Sequence, residues 1–446
     1  SNFNNSKIFN QKLKIFFCSK NQIMNNQITV LVGLKWGDEG KGRMVDYFAQ
    51  DVDYVVRYQG GNNAGHTVVN EFGTFKLHLI PSGIFNPKVT NVLGTGMVID
   101  IQAFCEEVDE LEKSGIDCSN IKISERATIT FPFHRLEDEL EEERLGAGAY
   151  GSTKRGIAYA YGERYQKKSI QVGELFYPED LRKHVEQLVE WKNLLITGVY
   201  KSSKTVSAEE TMDWLNKYGE KIKKYICDVT ELLGNAATEG KKIMFEAQLG
   251  SLRDINYGIY PYTTSSSALA SFAPIGGGLF TKKIDKVIGV MKSFSTCVGA
   301  GPFVTRMNDE DAHNLREIAF EYGAATGRAR TIGHFDAVAS RYGAQVQGVD
   351  EIAITKLDSL SGLKKLKICT AYNIEGKSIK TFPLTPLLEK AITEYIEVDG
   401  WSEDISKCRK FDELPVSAQN YIKKIEELIG YSIKYISVGP ERESLI

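Results

Sequence analysis

The stretch ITVLVGLKWGDEGKGRMVDYF, residues 28–48, constrains the fold more than any other part of this sequence. An unbroken apolar run is followed by a glycine-rich turn and then by a segment of mixed polarity. This order predicts a buried strand, a phosphate-binding turn and the start of a helix. Glycine lets backbone N–H groups approach phosphate oxygens closely, and the N-terminus of the following helix adds a positive potential.

Asp38 is an unusual residue in such a turn, because its carboxylate repels phosphate. The residue fits there if it binds Mg²⁺ or accepts a proton from a second substrate. The spacing of the turn also differs from that of the common GxxxxGK[ST] loop. The simpler alternative is an ordinary turn between a strand and a helix, and the carboxylate counts against it.

Strand-like runs alternate with helical patterns along the chain. The runs are QITVLVG, DYVVRY, FKLHLI, KIMFEA, KVIGVM, EIAITKLD and LKICTAY, and the helical patterns include DIQAFCEEVDELEKSG and DEDAHNLREIAFEYG. This alternation predicts an α/β fold with a large, mostly parallel central sheet flanked by helices, with long loop and helical excursions. A charged helical region over residues 207–242 is expected on the outside. No repeat or Pro-rich linker interrupts the pattern, so residues 27–446 are predicted to form a single catalytic domain.

The composition narrows the class of function. A net charge of -3 gives no polybasic surface for nucleic acid or membrane, and no apolar run approaches the roughly 20 residues of a membrane helix. Seven scattered cysteines without a CxxC pair are typical of reduced thiols, which predicts a cytoplasmic enzyme. Residues 1–26 are rich in Asn and Lys and contain no acid, so we expect a disordered leader, an upstream remnant or a start set before Met24.

Two further motifs carry side chains suited to nucleotide chemistry. RYQGGNNAGHTV, residues 57–68, places His66 in a polar loop, where it suits an acid or a phosphate ligand. The end of the run EIAITKLD places Asp358 after Lys356, and one carboxylate can accept from both N1–H and the 2-amino group of guanine. Adenine offers no such pair of donors, so Asp358 favours GTP over ATP. Each motif alone is also compatible with a plain turn or a solvated strand end.

Three loops complete the set. GAATGRARTIG, residues 323–333, presents Arg328 and Arg330, which suit a carboxylate or a phosphate. GSTKRGIA, residues 151–158, offers hydroxyl and amide groups for a second phosphate, and STCVGAGPFVT, residues 295–305, allows close approach of backbone to a ligand. Exposed arginines and polar turns are common, so each loop is modest support by itself.

Taken together and in this order, the motifs resemble those of the adenylosuccinate synthetase family. They are WGDEGKG, NNAGHT, YGSTKRGI, YPYTTSS, VGAGPFVT, TGRAR, TKLD and SVGP, and the resemblance runs from about Gln27 to the C-terminus. The family is a ligase of AMP biosynthesis that joins L-aspartate to C6 of IMP at the expense of GTP. The resemblance implies that adenylosuccinate, GDP and phosphate are the products, with 6-phosphoryl-IMP as the intermediate.

The resemblance also implies roles for individual residues. Asp38 is the expected base toward N1 of IMP, His66 the acid toward the transferring phosphoryl group, and Lys41 a further catalytic residue that contacts the GTP phosphates. One Mg²⁺ per active site is expected on Asp38 and the carbonyl of Gly65. The expected GTP-binding residues are Gly37, Gly40, Lys41, Gly42, Lys356, Asp358, Ser437 and Gly439. The expected IMP-binding residues are Asn63, Ser152, Thr153, Lys167, Gln248, Thr264 and Arg328, and those for aspartate are Thr326, Arg328 and Arg330.

The family is a homodimer in which a basic residue of one subunit reaches the IMP phosphate of the other. Lys167 aligns with that residue and keeps its charge, but it lacks the bidentate geometry of arginine. The resemblance therefore implies a homodimer whose partners are the three substrates, with neither nucleic acid nor membrane involved.

The sequence departs from the family pattern around the purine. FEAQLGSLRD stands where the family usually has FEGAQG followed by Leu-Leu-Asp, so Leu249 replaces a glutamine and Arg253 a leucine, with Gln248 one position early. KRGIAY replaces GRGIGP, and Ala325 and His334 replace a common Thr and Trp.

These departures leave an alternative open, a paralogue with the same chemistry on another 6-oxopurine nucleotide such as GMP or dGMP. Retention of Asp38 counts against it, since relatives that use guanylates change this carboxylate. A GTP-binding switch without ligase activity is a third hypothesis. The absence of GxxxxGK[ST] and the presence of both Asp38 and His66 argue against it.

Overall fold

The computed structural model describes residues 27–323 and 327–446, which form an α/β fold around one large sheet. The strands in chain order are β1 (Ile28–Gly33), β2 (Tyr54–Arg57), β3 (His66–Asn70), β4 (Gly73–Leu77), β5 (Thr90–Leu93), β6 (Val98–Ile99), β7 (Ile121–Ser124), β8 (Thr128–Ile129), β9 (Ile226–Cys227), β10 (Ile243–Gly250), β11 (Lys286–Lys292), β12 (Ser295–Cys297), β13 (Thr331–Gly333), β14 (Phe335–Asp336), β15 (Glu351–Thr355), β16 (Lys365–Ile374), β17 (Lys377–Ile379), β18 (Ile392–Asp399) and β19 (Ile433–Ile436). The predicted leader lies outside the described residues, and the division into a leader and a single domain stays a prediction.

Helices cover both faces of the sheet. They are α1 (Lys41–Phe48), α2 (Ile101–Lys113), α3 (Pro132–Leu145), α4 (Ile157–Gln166), α5 (Pro178–Leu194), α6 (Ala208–Ile222), α7 (Val229–Thr238), α8 (Ala273–Gly277), α9 (Asp309–Ala319), α10 (Ala337–Gln347), α11 (Thr385–Leu388) and α12 (Val416–Ile429). Among the described residues no helix is both long enough and apolar enough to cross a membrane.

The central sheet has nine strands in the order β19-β15-β11-β1-β10-β2-β5-β7-β9, and every pair in it is parallel. Its inner strands are buried on both faces, which is why β1 and β11 read as continuous apolar runs rather than as alternating patterns. The predicted α/β fold with a mostly parallel sheet is confirmed. A smaller sheet of β14, β16, β17 and β18 lies to one side.

Some local predictions were wrong. The run FKLHLI was predicted as a strand of the main pattern, but β4 ends at Leu77 and pairs antiparallel with β3 in a separate hairpin. The region 207–242 contains two helices, α6 and α7, with the edge strand β9 between them. Strands β5, β7, β9 and β19 were not predicted, because runs of two to four residues give too little periodicity to recognise.

The parallel arrangement positions the candidate site. The carboxyl ends of parallel strands lie at one edge of a sheet, and ligands of such folds bind outside that edge. The glycine-rich turn follows β1, the NNAGH loop follows β2, and Lys356 and Ser437 follow β15 and β19. Five sequence motifs that are far apart in the chain are therefore brought to the same edge, with FEAQLG contributed by β10 itself.

Substitution of Phe245 in β10 tests how much the buried core contributes to the free energy of unfolding. Its side chain is fully buried against Tyr58 and Gly277. We expect Phe245→Ala to lower the free energy of unfolding by about 3–5 kcal/mol, because it removes buried apolar surface and leaves a cavity. Urea denaturation measures the difference. Phe280→Ala is the matched control, since that ring is 65% exposed and its loss should change stability little. Equal effects of the two substitutions would contradict this account of the core.

Candidate active site

A buried carboxylate folds the glycine-rich turn that follows β1. Glu39 is 1% exposed and accepts hydrogen bonds from the backbone N–H of Lys35 at 3.0 Å and of Gly37 at 2.9 Å. The same carboxylate pairs with the ammonium of Lys41 at 2.8 Å. The two acids of the turn therefore have different surroundings. Glu39 closes the turn from inside and orients Lys41, whereas Asp38 is 26% exposed and directed outward.

Asp38 belongs to a chain of charges that crosses the site. Arg330 donates through Nε to Asp38 at 3.1 Å and through Nη1 to Glu321 at 2.5 Å. Glu321 is fully buried and also accepts from the ammonium of Lys292 at 2.7 Å. Burial lowers the pKa of Lys292 to about 8, although Glu321 acts in the opposite direction. Alternating charges thus connect the predicted base to an arginine that was predicted to face aspartate.

His66 is held by a second buried carboxylate. Its Nδ1 lies 2.5 Å from Oε1 of Glu246, and the same carboxylate accepts from the Ser82 hydroxyl through Oε1 and from the Ser82 amide through Oε2. Burial lowers the pKa of His66, while the contact with Glu246 acts to raise it. Burial acts to raise the pKa of Glu246, but His66 and Arg57 outweigh it and hold that pKa below its ordinary value. The buried Nε2 of His66 has no hydrogen-bond partner among the described residues.

Close packing joins the two motifs that carry Asp38 and His66. A Cβ atom placed on Gly42 would lie 2.8 Å from the Cβ of His66 and 3.3 Å from the hydroxyl of Ser82. Only glycine therefore allows the first turn of α1 to approach the start of β3 this closely. The N-terminal end of α1, whose first N–H groups have no partner within the helix, is thereby placed beside the imidazole.

A cavity of about 540 Å³ opens beside this centre. Its lining includes many of the residues predicted from the sequence, namely Asp38, Asn63, Gly65, Ser152, Thr153, Thr264 and Arg328. It also includes Leu249, Arg253 and the loop Val298–Gly299–Ala300. The tertiary structure thus brings together the predicted base, the predicted metal ligands and the predicted phosphate ligands around one space.

Not all of the predicted ligands that the structure describes are on this lining, and Arg330, Gln248 and Lys167 are among those that are not. Gln248 is fully buried, and its side chain accepts from Arg57 at 2.6 Å and donates to Asn63 at 2.9 Å, so it supports Asn63 from behind. Lys167 is exposed at the end of α4, and its predicted reach into a partner subunit stays a prediction. Thr326 lies outside the described residues.

The residues predicted to hold guanine lie together at the ends of β15 and β19. The N–H of Ser437 donates to Ile354 at 2.8 Å, and the N–H of Leu357 donates to Ser437 at 3.3 Å. These contacts place the SVGP segment, with Gly439, beside Asp358. Burial raises the pKa of Asp358, and Lys356 and Arg43 oppose that shift. The ammonium of Lys356 donates to the carbonyl of Ala319 at 2.8 Å, which fixes its stem over this end of the sheet.

Two groups of residues offer ligand atoms for a divalent cation. The Asp38 carboxylate and the Gly65 carbonyl share the cavity and are the hard ligands that Mg²⁺ prefers. His134, Glu137 and Glu163 also lie close together, but the ammonium of Lys192 pairs with both glutamates. The buried ammonium of Lys192 makes two contacts in that second cluster, whereas Asp38 has one such contact, with Arg330 at 3.1 Å, and lines the cavity with Gly65, so this pair remains the predicted Mg²⁺ site.

Glu246, Glu321 and Lys292 were not recognised as site residues from the sequence. Glu246 and Lys292 gave a signal that could have been used, since Glu246 interrupts an apolar run and Lys292 ends one, and both runs become buried strands. A buried charge in a strand needs a partner and often marks a functional site. Glu321 gave no such signal, because it follows α9 in a segment without a strand pattern.

The fold and the cavity define a nucleotide-binding enzyme with a parallel α/β sheet. The sequence profile named adenylosuccinate synthetase matches residues 30–446. The "Adenylosuccinate synthetase 2" of Pseudoalteromonas translucida is 50% identical over 420 residues, which cover 94% of this chain and 99% of that protein. The adenylosuccinate synthetase of Caldanaerobacter subterraneus is 45% identical over 423 residues, which cover 94% and 98%. The chain belongs to the adenylosuccinate synthetase family and is therefore a ligase of purine biosynthesis that forms a C–N bond.

Solved structures agree with this assignment. The fully ligated adenylosuccinate synthetase of Plasmodium falciparum matches with a TM-score of 0.89 and 33% identity, covering 94% of this chain and 99% of that one. The succinoaminodeoxyadenylate synthetase of cyanophage S-2L, bound to dGMP and dATP, matches with a TM-score of 0.56 and 17% identity, covering 94% of each chain. At that identity the second likeness concerns the fold alone.

The pair of Glu246 and His66 leads to a prediction about titration. Glu246→Gln removes the charge that raises the pKa of His66 and leaves burial unopposed, so we expect that pKa to fall further. NMR titration of ¹³C-labelled histidine measures it, with His66→Asn used to assign the signal. Glu174→Gln is the control, because Glu174 contacts His184 at 2.7 Å and should alter only that histidine. An unchanged or raised pKa of His66 in Glu246→Gln would refute the assigned interaction.

Proposed function

We propose that this chain joins L-aspartate to IMP at the expense of GTP, releasing adenylosuccinate, GDP and phosphate. The observation that supports this most strongly is the shared cavity. Asp38 lies on its wall together with Asn63, Thr153 and Thr264, which suit a nucleotide phosphate. A purine whose phosphate is held by these residues can present its six-membered ring to the carboxylate, and the turn after β1 lies beside it for a second nucleotide.

The first chemical step uses Asp38 as a base. The 6-oxo group of IMP is a poor nucleophile while N1 carries its proton. Transfer of that proton to Asp38 places negative charge on O6, which attacks the γ-phosphorus of GTP, and the bond from that phosphorus to the bridging oxygen breaks. The products of this step are 6-phosphoryl-IMP and GDP. Arg330 fixes the position of the Asp38 carboxylate through its contact at 3.1 Å.

His66 acts toward the transferring group from the other side. Glu246 fixes the imidazole through Nδ1 and leaves Nε2 directed away from the protein's own acceptors. Phosphate oxygens near Nε2 favour its protonated form, which donates a hydrogen bond to the charge that develops. Lys41 and the N-terminal end of α1 add positive potential at the same place.

The second step needs only the amine of aspartate as a nucleophile. The amine attacks C6, the C6–O bond breaks, phosphate leaves and the nitrogen loses a proton, so the new bond is C–N. Arg328 and Arg330 suit the carboxylates of this substrate, together with Thr326. When bound, Mg²⁺ neutralises charge on the phosphoryl oxygens, and Asp38 and Gly65 are the residues that would hold it.

We also propose a cytoplasmic homodimer in which Lys167 reaches the partner's IMP site.

One observation favours a second candidate, the same chemistry on GMP or dGMP. Leu249 and Arg253 line the cavity where the family pattern has glutamine and leucine, so the surroundings of the purine differ. Separate reactions with IMP, GMP, dGMP and XMP, each with GTP, aspartate and Mg²⁺, distinguish the two by the mass of the product. An aspartate adduct from IMP alone supports the first proposal, and an adduct from a guanylate with IMP inert supports the second. GTP hydrolysis that is indifferent to purine monophosphate and aspartate would contradict both.

Asp38→Asn tests the assigned base. We expect ligation to fall by a factor on the order of 10²–10⁴, because the amide cannot accept the N1 proton, while GTP binding changes little. Product formation and calorimetric titration with GTP measure the two effects. Asp309→Asn serves as the control, since the side chain of Asp309 is 97% exposed and lies in α9 away from the cavity. Turnover retained by Asp38→Asn would exclude this residue as the base.

Asp358→Asn tests whether the Asp358 carboxylate recognises guanine. The substitution replaces an acceptor oxygen with an N–H donor that opposes the 2-amino group of guanine, so we expect KM for GTP to rise about tenfold or more. Xanthosine triphosphate carries an oxygen in place of the 2-amino group, so its KM should rise less than the KM for GTP. Initial rates with each nucleotide measure the preference, with Asp399→Asn as an exposed control. An unchanged preference between the two nucleotides would place guanine elsewhere.

A further inference from the structure

Arg253 occupies an unusual position at the wall of the cavity. Its side chain is 8% exposed, and its guanidinium donates to the carbonyl of Tyr262 at 2.5 Å and to that of Val298 at 2.6 Å. It also reaches the carbonyl of Ala300 at 3.3 Å and the sulfur of Cys297 at 3.0 Å. One side chain therefore connects the segment after β10 to two separate parts of the cavity wall.

The segment from Val298 to Gly301, which we call the small-residue loop, has few other attachments. Gly299 and Gly301 adopt φ values of +90° and +109°, which side chains rarely allow. Arg253 donates to the carbonyls of both Val298 and Ala300. Among the described residues, the other hydrogen bond to these carbonyls is a long contact of 3.7 Å from the Cys297 sulfur to Val298. A glycine-rich loop loses much conformational entropy on ordering, so these hydrogen bonds bear directly on its position.

The charge of Arg253 is not balanced by a carboxylate. Its four acceptors are three carbonyls and a thiol, and in the described part of the chain no Asp or Glu forms an ion pair with it. Burial raises the pKa of Cys297 despite the opposing effect of Arg253, so this neighbour is a neutral thiol. A buried cation in this setting adds positive potential to a cavity that is lined by phosphate-binding residue types.

We propose that Arg253 is a positioning residue for the purine nucleotide, which holds the small-residue loop and Tyr262 at the distance that the purine requires. Where the family pattern has leucine, this chain uses the planar guanidinium as a rigid connection between carbonyls on two segments. Leu249 lies on the same wall in a left-handed conformation, with φ +62°, and supplies apolar surface where a polar amide would stand. Orientation of the purine in this chain depends on the tethered loop.

The inference rests on the proposed function, and GTP supplies an internal reference. The guanine-binding residues at the ends of β15 and β19 do not contact Arg253, so a loss of loop position should leave them intact. A general loss of stability would instead weaken both nucleotides together and lower the melting temperature. The ratio of the two effects separates a positioning role from a merely structural one.

The experiment compares Arg253→Leu and Arg253→Lys with the wild-type chain. We expect kcat/KM for the purine monophosphate to fall about 10- to 100-fold in both, with KM for GTP changed less than about twofold. Lysine keeps the charge but offers a single ammonium, which cannot span the same set of acceptors, so it should rescue little. Hydrogen exchange of the peptide that contains β12 and the loop should become faster, because β12 pairs with β13 directly before the loop.

Arg306→Leu and Arg306→Lys are the matched controls, because Arg306 is 65% exposed and follows the loop in sequence. Unchanged kinetics for the purine monophosphate in Arg253→Leu would overturn the proposal. If Arg253→Leu does not fold, Arg253→Lys provides the test. Kinetics and hydrogen exchange equal to those of the wild-type chain in Arg253→Lys would also overturn the proposal. A wild-type chain that forms no adduct with any purine monophosphate refutes the proposed function instead, and hydrogen exchange of the loop then decides on Arg253 alone.

Discussion

The buried carboxylate of Glu39 is the interaction on which the rest of the site depends. It satisfies two backbone N–H groups of the turn after β1 and pairs with Lys41, so the turn is held closed without any ligand. A charge buried in this way is stable only because its partners are complete. With Glu39 turned inward, Asp38 at the preceding position turns outward in a left-handed conformation, with φ +59°. The two neighbouring acids thereby acquire separate roles, one structural and one chemical.

Buried carboxylates orient the basic groups of the site in the same manner. Glu246 fixes His66, Glu321 holds Arg330 and Lys292, and Glu39 holds Lys41. In each case the acid is almost completely inaccessible to solvent, and the basic group is itself largely buried. Such pairs fix the position of a charge before substrate arrives, and a preorganised charge stabilises a transition state without reorganisation at the moment of reaction.

Three of the residues that differ from the family pattern, Gln248, Leu249 and Arg253, lie in one short segment. Gln248 is turned into the protein and supports Asn63, Leu249 lines the cavity, and Arg253 connects to the small-residue loop. At this end of β10 the strand is irregular, with Leu249 at φ +62°, and Leu249 faces the cavity while the neighbouring Gln248 side chain faces inward. The glycine-rich turn and the segments with Lys356 and Ser437 follow other strands, β1, β15 and β19.

The sequence by itself determined the fold class, because most of the parallel strands are apolar runs. It also indicated most of the side chains of the candidate site, because the glycine-rich motifs that carry them are distinctive. Asp38 and Asp358 follow β1 and β15 as their motifs predicted, whereas His66, which was predicted in a polar loop, is the first residue of β3. Only the tertiary structure decided their partners: Glu246 is 180 residues from His66, and Arg330 is 292 residues from Asp38. The register of the sheet and the packing of loops set these contacts, and no local pattern encodes them. For the same reason, the inward orientation of the Gln248 side chain and the contacts of Arg253 with the small-residue loop are visible only in the tertiary structure.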